Sequence, residues 1–292
     1  MINRVLLKVR PDLSDSELKK RLIEAIECRG FKLYLEPESL GKEASKHEVV
    51  ELRNADVDCV IILGGDGTIL YTIRNLPAKC PLILGVDVGT TGFLSEISPA
   101  DIDQAVERLV KGDYRIVNSF RLRTIIGDLV LPEAVNEVLV TTEPGKSVKL
   151  NIYINECFLN SVVADGVMVA TPTGSTAYGL SAGGSIIDND LDVYTIVPVA
   201  PFKASLFPIV ISADKTVSIK STGGRTPIVV IDGQVQHHLI EDSFIKILRS
   251  ENTVPFIRFR GDFYGKIREK LLTTNERNVK QGGCNKTGGG VL

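Results

Sequence analysis

The chain has 292 residues, of which 43% are hydrophobic, enough for one large core or two smaller ones. Its net charge of −2 leaves no global basic field to attract nucleic acid or anionic lipid. No apolar run is long enough for a membrane-spanning helix, and the five cysteines contain no CxxC pair, which argues for reduced, mostly buried thiols in a cytosolic protein and against a zinc site.

Residues 2–9 predict a first strand, which Lys8 and Arg10 interrupt too early for a signal peptide. Ser14 to Arg29 predicts an amphipathic helix, with Leu18, Leu22, Ile23 and Ile26 on one stripe and Gly30 as its stop. Phe31 to Leu35 is a second strand, and Ala44 to Asn54 predicts a short helix. Cys59 to Leu63 is a buried strand that runs into Gly64-Gly65-Asp66-Gly67-Thr68, and a helix is expected from Thr68 to Asn75. Pro81 to Val86 is a further strand, followed by a second glycine-rich loop over residues 85–94 and a helix from Pro99 to Val110. Strands alternating with helices predict a mostly parallel sheet flanked by helices.

The pattern changes near Gly112. Ten short β-type runs follow, from Phe120–Ile126 to Phe244–Ile247 and Val254–Phe259, which predicts a β-rich domain. Phe263 to Leu272 is helical in pattern. The expected organisation is an α/β domain over residues 1–112 joined by 260–272, a β-rich domain over 113–259, and a disordered polar tail over 273–292.

Glycines let the backbone of the 64–68 turn approach a ligand, and its N–H groups, opening a helix, suit phosphate. Asp66 does not suit phosphate, so it points to work on a proton or a cation, although a tight turn alone would account for Gly-Asp-Gly. Gly145-Lys146-Ser147 lacks the first glycine of a phosphate-binding P-loop and leads into a strand, and Gly85, Gly89 and Gly92 lack dinucleotide-fingerprint spacing. Residues 165–184 take a strand into a loop dense in hydroxyls and small residues, with Tyr178 able to stack on a base; a ligand site is favoured there over a plain surface loop. Asn136 and Glu137 are polar residues inside an apolar run, and Asp232-Gly233-Gln234 alone signals a hairpin turn.

Taken together in this order, the motifs at residues 64–68, 89–94, 136–137, 165–184 and 232–234 resemble those of the NAD kinases, over roughly residues 2 to 272. The first motif is shared with diacylglycerol kinase, sphingoid kinase and phosphofructokinase relatives; the block Thr171-Pro172-Thr173-Gly174-Ser175-Thr176-Ala177-Tyr178 is far more specific. The resemblance implies ATP-dependent phosphorylation of the 2′-hydroxyl of the adenosine ribose of NAD. It implies Asp66 as the base, and Gly64, Gly65, Gly67 and Thr68 against phosphates. Asn136 and Glu137 would hold NAD ribose and base. Asp165 would meet the nicotinamide end, often from a neighbouring subunit. Thr176, Ala177, Tyr178, Gly179, Leu180 and Ser181 would line the adenine pocket, with Lys149 and Gln234 as further contacts. Tyr71 stands where an Arg or His contact is common among such relatives. Mg2+ or another divalent cation would arrive on ATP, with no protein metal site and no prosthetic group. A cytoplasmic homodimer or homotetramer is implied, with no nucleic-acid or membrane partner. The alternatives are a superfamily kinase for a lipid or sugar hydroxyl, against which the Thr171–Tyr178 block speaks, and a non-catalytic NAD(H)-binding sensor, which need not keep Asp66.

Overall fold

The computed structural model of the chain describes residues 2–41, 46–89, 92–203, 206–240, 242–259 and 263–272. The tail 273–292 with Cys284, and Thr90 and Thr91 of the second glycine loop, lie outside them.

The α/β part contains β1 (Arg4–Val9), α1 (Glu17–Glu27), β2 (Lys32–Leu35), β3 (Glu48–Val49), β4 (Cys59–Gly64), α2 (Asp66–Asn75), β5 (Leu82–Asp87) and α3 (Ile102–Lys111). Its strands are parallel in the order β3-β2-β1-β4-β5. Both sheet faces are covered, so β1 and β4 read as unbroken apolar runs. Val5, Leu7 and Val9 pack with α1 and α3, while Leu6, Val60 and Ile62 pack with Ile69, Leu70 and Ile73 of α2 on the other face. The chain leaves β1 towards β2 and later returns to β4 on the other side of β1. The crevice at the C-terminal ends of β1 and β4 is therefore the switch point where ligands bind in such sheets.

The β-rich part contains β6 (Arg115–Ile126), β7 (Leu129–Val130), β8 (Glu137–Thr141), β9 (Val148–Ile154), β10 (Cys157–Ala164) and β11 (Gly166–Ala170). After a short α4 (Tyr178–Ser181) come β12 (Val193–Val199), β13 (Ile209–Ser212), β14 (Val217–Thr222), β15 (Ile228–Ile231), β16 (Val235–His238) and β17 (Phe244–Arg258). One antiparallel sheet has the order β13-β12-β11-β8-β15-β16. The other strands extend the parallel sheet: β17 pairs with β5 at Phe256↔Ile83 and carries β14, β9 and β10 beyond it. A core including Val138, Val140, Ile152, Val169, Ile196, Val217 and Ile247 fills the space between the sheets. A separate unit holds α5 (Phe263–Ile267) and the π-helical turn Arg268–Leu272.

Several expectations need correction. The helix expected from Ala44 is instead β3 and a 3₁₀ turn at Leu52–Asn54, with residues 42–45 outside the described set. The two runs at Phe244 and Val254 are one strand, whose register against β6 shifts between Arg249 and Thr253; that irregularity interrupts the alternation. β12 was not expected, because Pro198 breaks a strand pattern, yet it pairs with β11 along its length. Of the four described cysteines, all free, only Cys59 is buried; Cys80 is half-buried, and Cys28 and Cys157 are exposed, so burial of most thiols does not hold. Helix α2 starts at Asp66, two residues earlier than expected, which puts the carboxylate in its first turn.

Candidate active site

β4 delivers Gly64 and Gly65 to the switch point, and α2 opens on Asp66 and Gly67. The N–H groups of a helix's first turn have no intrahelical acceptor, so this end favours an anion. Asp66 is turned away to the second glycine loop. Its Oδ2 accepts from the Phe93 N–H at 2.8 Å and its Oδ1 from the Leu94 N–H at 3.1 Å. Burial pushes its carboxyl above the ordinary range and Asp87 adds repulsion, while the amides of Phe93, Leu94 and Ser95 act the other way. Gly92 packs close by: a Cβ there would stand 2.7 Å from Ser95 Oγ, 2.9 Å from Asp66 Oδ1 and 3.3 Å from Asp87 Oδ1, so those side chains would have to shift. Among the described residues no three or more His, Cys, Asp or Glu side chains gather to hold a metal ion.

The β-rich part reaches the same turn through the β15–β16 hairpin. Asp232 and Gly233 take φ 48° and 64°, which close its three-residue loop. Gln234 donates from Nε2 to the Gly67 carbonyl at 2.8 Å and accepts from Arg74 of α2. Buried Asp232 accepts from the N–H groups of Val135, Asn136 and Glu137 at 2.9, 2.8 and 3.0 Å. The Asn136–Glu137 pair is thereby fixed by the turn that touches the glycine loop. Asn136 Oδ1 and Glu137 Oε2 are buried with no hydrogen-bond partner among the described residues. Leaving such buried acceptors unmet is unfavourable.

Burial, and then repulsion from Asp232, pushes the Glu137 carboxyl up to about 8. The folded protein thus holds this proton more tightly than the unfolded chain. Its stabilising share is full below the ordinary value of 4.5 and is lost as the pH rises towards about 8. Glu137→Gln is expected to flatten the fall in Tm between pH 5 and pH 8; equal falls in variant and parent would exclude this assignment.

The 171–181 loop docks on this pair. A Cβ on Gly174 would lie 2.0 Å from the Asn136 carbonyl oxygen, so only glycine fits. Several of its hydroxyls are hydrogen-bonded to backbone carbonyls. Thr171 Oγ1 donates to the Val135 carbonyl and accepts from Gly174 N–H, Ser175 Oγ joins Pro172 to Ile187, and Thr176 Oγ1 donates to the Thr173 carbonyl. They shape the loop and leave Ala177 and Leu180 part-exposed and Tyr178 and Ser181 exposed, with Gly179 buried. Tyr71 on α2 lies under two cations, Lys8 Nζ at 5.2 Å and Arg74 at 5.5 Å from its ring.

Asp165 and Lys149 are not brought to this cluster. Asp165 precedes β11 and Thr171 follows it, a separation of roughly 20 Å at about 3.3 Å per residue. Lys149 pairs with Val163, towards that same far end, and both side chains are exposed. Asp87, Glu96 and Arg258 were given no role in the sequence, and Asp232 was read only as part of the 232–234 motif, with Gln234 as its contact.

Family models match both parts of the chain: the ATP-NAD kinase N-terminal domain over residues 6–114 and the ATP-NAD kinase C-terminal domain over residues 135–259. The chain belongs to the ATP-NAD kinase family. Members of the family similar to it include the NAD kinase of Thermococcus kodakarensis, 37% identical over 90% of this chain and 96% of that protein. The NAD kinase of Methanothermobacter thermautotrophicus is 34% identical over 95% of this chain and 99% of its own. Among solved structures, an NAD kinase from Archaeoglobus fulgidus in complex with ATP superposes with a TM-score of 0.73 at 26% identity, covering 91% of this chain and 99% of that one. Yeast NADH kinase complexed with NADH shares the family fold with a TM-score of 0.82 at 22% identity, over 94% of this chain and 89% of that one.

Proposed function

We propose that this NAD kinase family enzyme transfers the γ-phosphoryl group of ATP to the 2′-hydroxyl of the adenosine ribose of NAD, giving NADP. The observation that carries the reading is a half-buried carboxylate, Asp66, at a phosphate-suited helix start. The Asp232–Gln234 turn joins it to two buried, unpartnered acceptors, Asn136 Oδ1 and Glu137 Oε2. Asp66 takes the ribose proton as the new bond forms, in a reaction that needs alignment and charge neutralisation more than covalent help. Gly64, Gly65, Gly67 and Thr68 lie against phosphates. Asn136 and Glu137 receive hydrogen bonds from ribose and base, and a protonated Glu137 also donates one. Thr176 to Ser181, with the exposed Tyr178, line the adenine pocket, and Gln234 closes it. A divalent cation held by the ATP phosphates supplies part of the charge neutralisation when bound.

The distance of Asp165 and Lys149 from Asp66 supports a role for them in the site of a second copy, in a homodimer or homotetramer. Free, exposed Cys28 and Cys157 suit a reducing cytoplasm. No helix among the described residues is long and apolar enough to cross a membrane. The reaction is tested by incubating the protein with ATP, Mg2+ and NAD and reading NADP with an NADP-specific dehydrogenase. NADP formation is expected; its absence with ATP and with polyphosphate overturns the proposal.

A further inference from the structure

The amides that receive Asp66 are held from behind. Arg258, at the end of β17, donates from Nη1 to the Leu94 carbonyl at 2.8 Å and to Glu96 Oε2 at 3.3 Å. The Glu96 side chain is fully buried, and its Oε1 accepts from the Phe259 N–H at 2.8 Å. The guanidinium also lies over the Phe256 ring, 4.8 Å from its centroid. The carbonyl that Arg258 grips belongs to Leu94, whose own N–H donates to Asp66 Oδ1 at 3.1 Å. One residue thus has the cation on its carbonyl and the carboxylate on its N–H, so the guanidinium fixes where that donor stands.

We propose that Arg258 is a positioning residue for Asp66, acting through Leu94 and keeping the carboxylate aligned. The inference rests on Asp66 being the base. Without a cation behind it, the carboxylate would face low-dielectric surroundings and the like charge of Asp87 from β5. Arg258 and Asp66 attract each other, and burial alone would weaken the guanidinium's hold on its proton. The other charges packed against the pair are Glu96, which partly neutralises Arg258, and Arg115 at the start of β6, which repels it. On the far side Arg74 of α2 is turned to Gln234. Glu96 therefore sets how much of the Arg258 charge reaches Asp66.

The test is the pH profile of kcat with saturating NAD, ATP and Mg2+. Arg258→Gln is expected to lower kcat by about 10- to 100-fold, as for other losses of alignment, with the KM for NAD and for ATP changing by less than about 3-fold. Its acid limb is expected to move to higher pH by roughly half a unit or more, because Asp66 loses an opposite charge. Glu96→Gln is expected to move the limb the other way, and Arg258→Lys to hold it near the parent position. A purely structural role would lower Tm and leave every limb where it was, and that result overturns the proposal. Should Arg258→Gln not fold, the direction of the Glu96→Gln shift decides alone: no shift, or an upward one, overturns it. Asp66→Asn is run alongside. If Asp66→Asn stays active, the base assignment fails, whereas an inactive Asp66→Asn with unmoved limbs defeats only the role of Arg258.

Discussion

Asp66→Asn is expected to lower kcat by about 10²- to 10⁴-fold, the span that a positioned general base contributes, while NAD still binds. The change keeps the shape and removes the charge. Two of the hydrogen bonds at stake, from Phe93 and Leu94 N–H, hold the side chain rather than the substrate. An amide turns an NH₂ group towards one of those donors, so a modest fall in Tm accompanies the loss of turnover. The decisive reading is the split between kcat and binding: an interaction needed only in the transition state lowers kcat and leaves the Kd for NAD close to that of the parent. Turnover within a few-fold of the parent would remove Asp66 from the chemistry.

Asp232→Ala is expected to destabilise the protein by about 3–5 kcal/mol. Its carboxylate receives the N–H groups of Val135, Asn136 and Glu137. Each buried donor left unmet costs about 1–3 kcal/mol. Release of a carboxylate whose burial is itself unfavourable offsets part of that sum. Asp232→Asn keeps one acceptor oxygen and tolerates the left-handed φ of 48°, so it is expected to lose roughly a third to a half as much. Denaturant titration of the three proteins measures this. A loss below about 1 kcal/mol for Asp232→Ala would mean that water reaches those amides and that the clamp is not a dry one. The KM for NAD should rise in both variants, because the clamp orders the Asn136–Glu137 backbone.

The strand into Gly64, the amphipathic stripe of α1 and the hairpin at Asp232 were all legible because each follows from local pattern. Continuous apolar runs mark strands covered on both faces, and glycine next to a carboxylate marks a turn. Elements failed to read where local pattern conflicts with tertiary context. Pro198 hides a strand that β11 requires as a neighbour, and the irregularity after Arg249 splits a strand that is continuous in space. The loop at 171–176 was legible in its hydroxyl content but not in its pairing: Thr171, Ser175 and Thr176 donate to backbone carbonyls. Composition carries the donors and acceptors of such a loop, and only the folded backbone decides how they pair.

By itself the sequence determined the two-part architecture, the order of the motifs and the one carboxylate within the Gly64–Thr68 turn. Their spacing needs no knowledge of what packs against them. Only the tertiary structure decided that Asp232 braces Asn136 and Glu137, that Gln234 ties them to Gly67, and that Arg258 stands behind Asp66. These partners come from elements distant in the chain. A residue's own neighbours record whether it is buried, and they do not record which remote peptide will lie beside it once the sheets have paired.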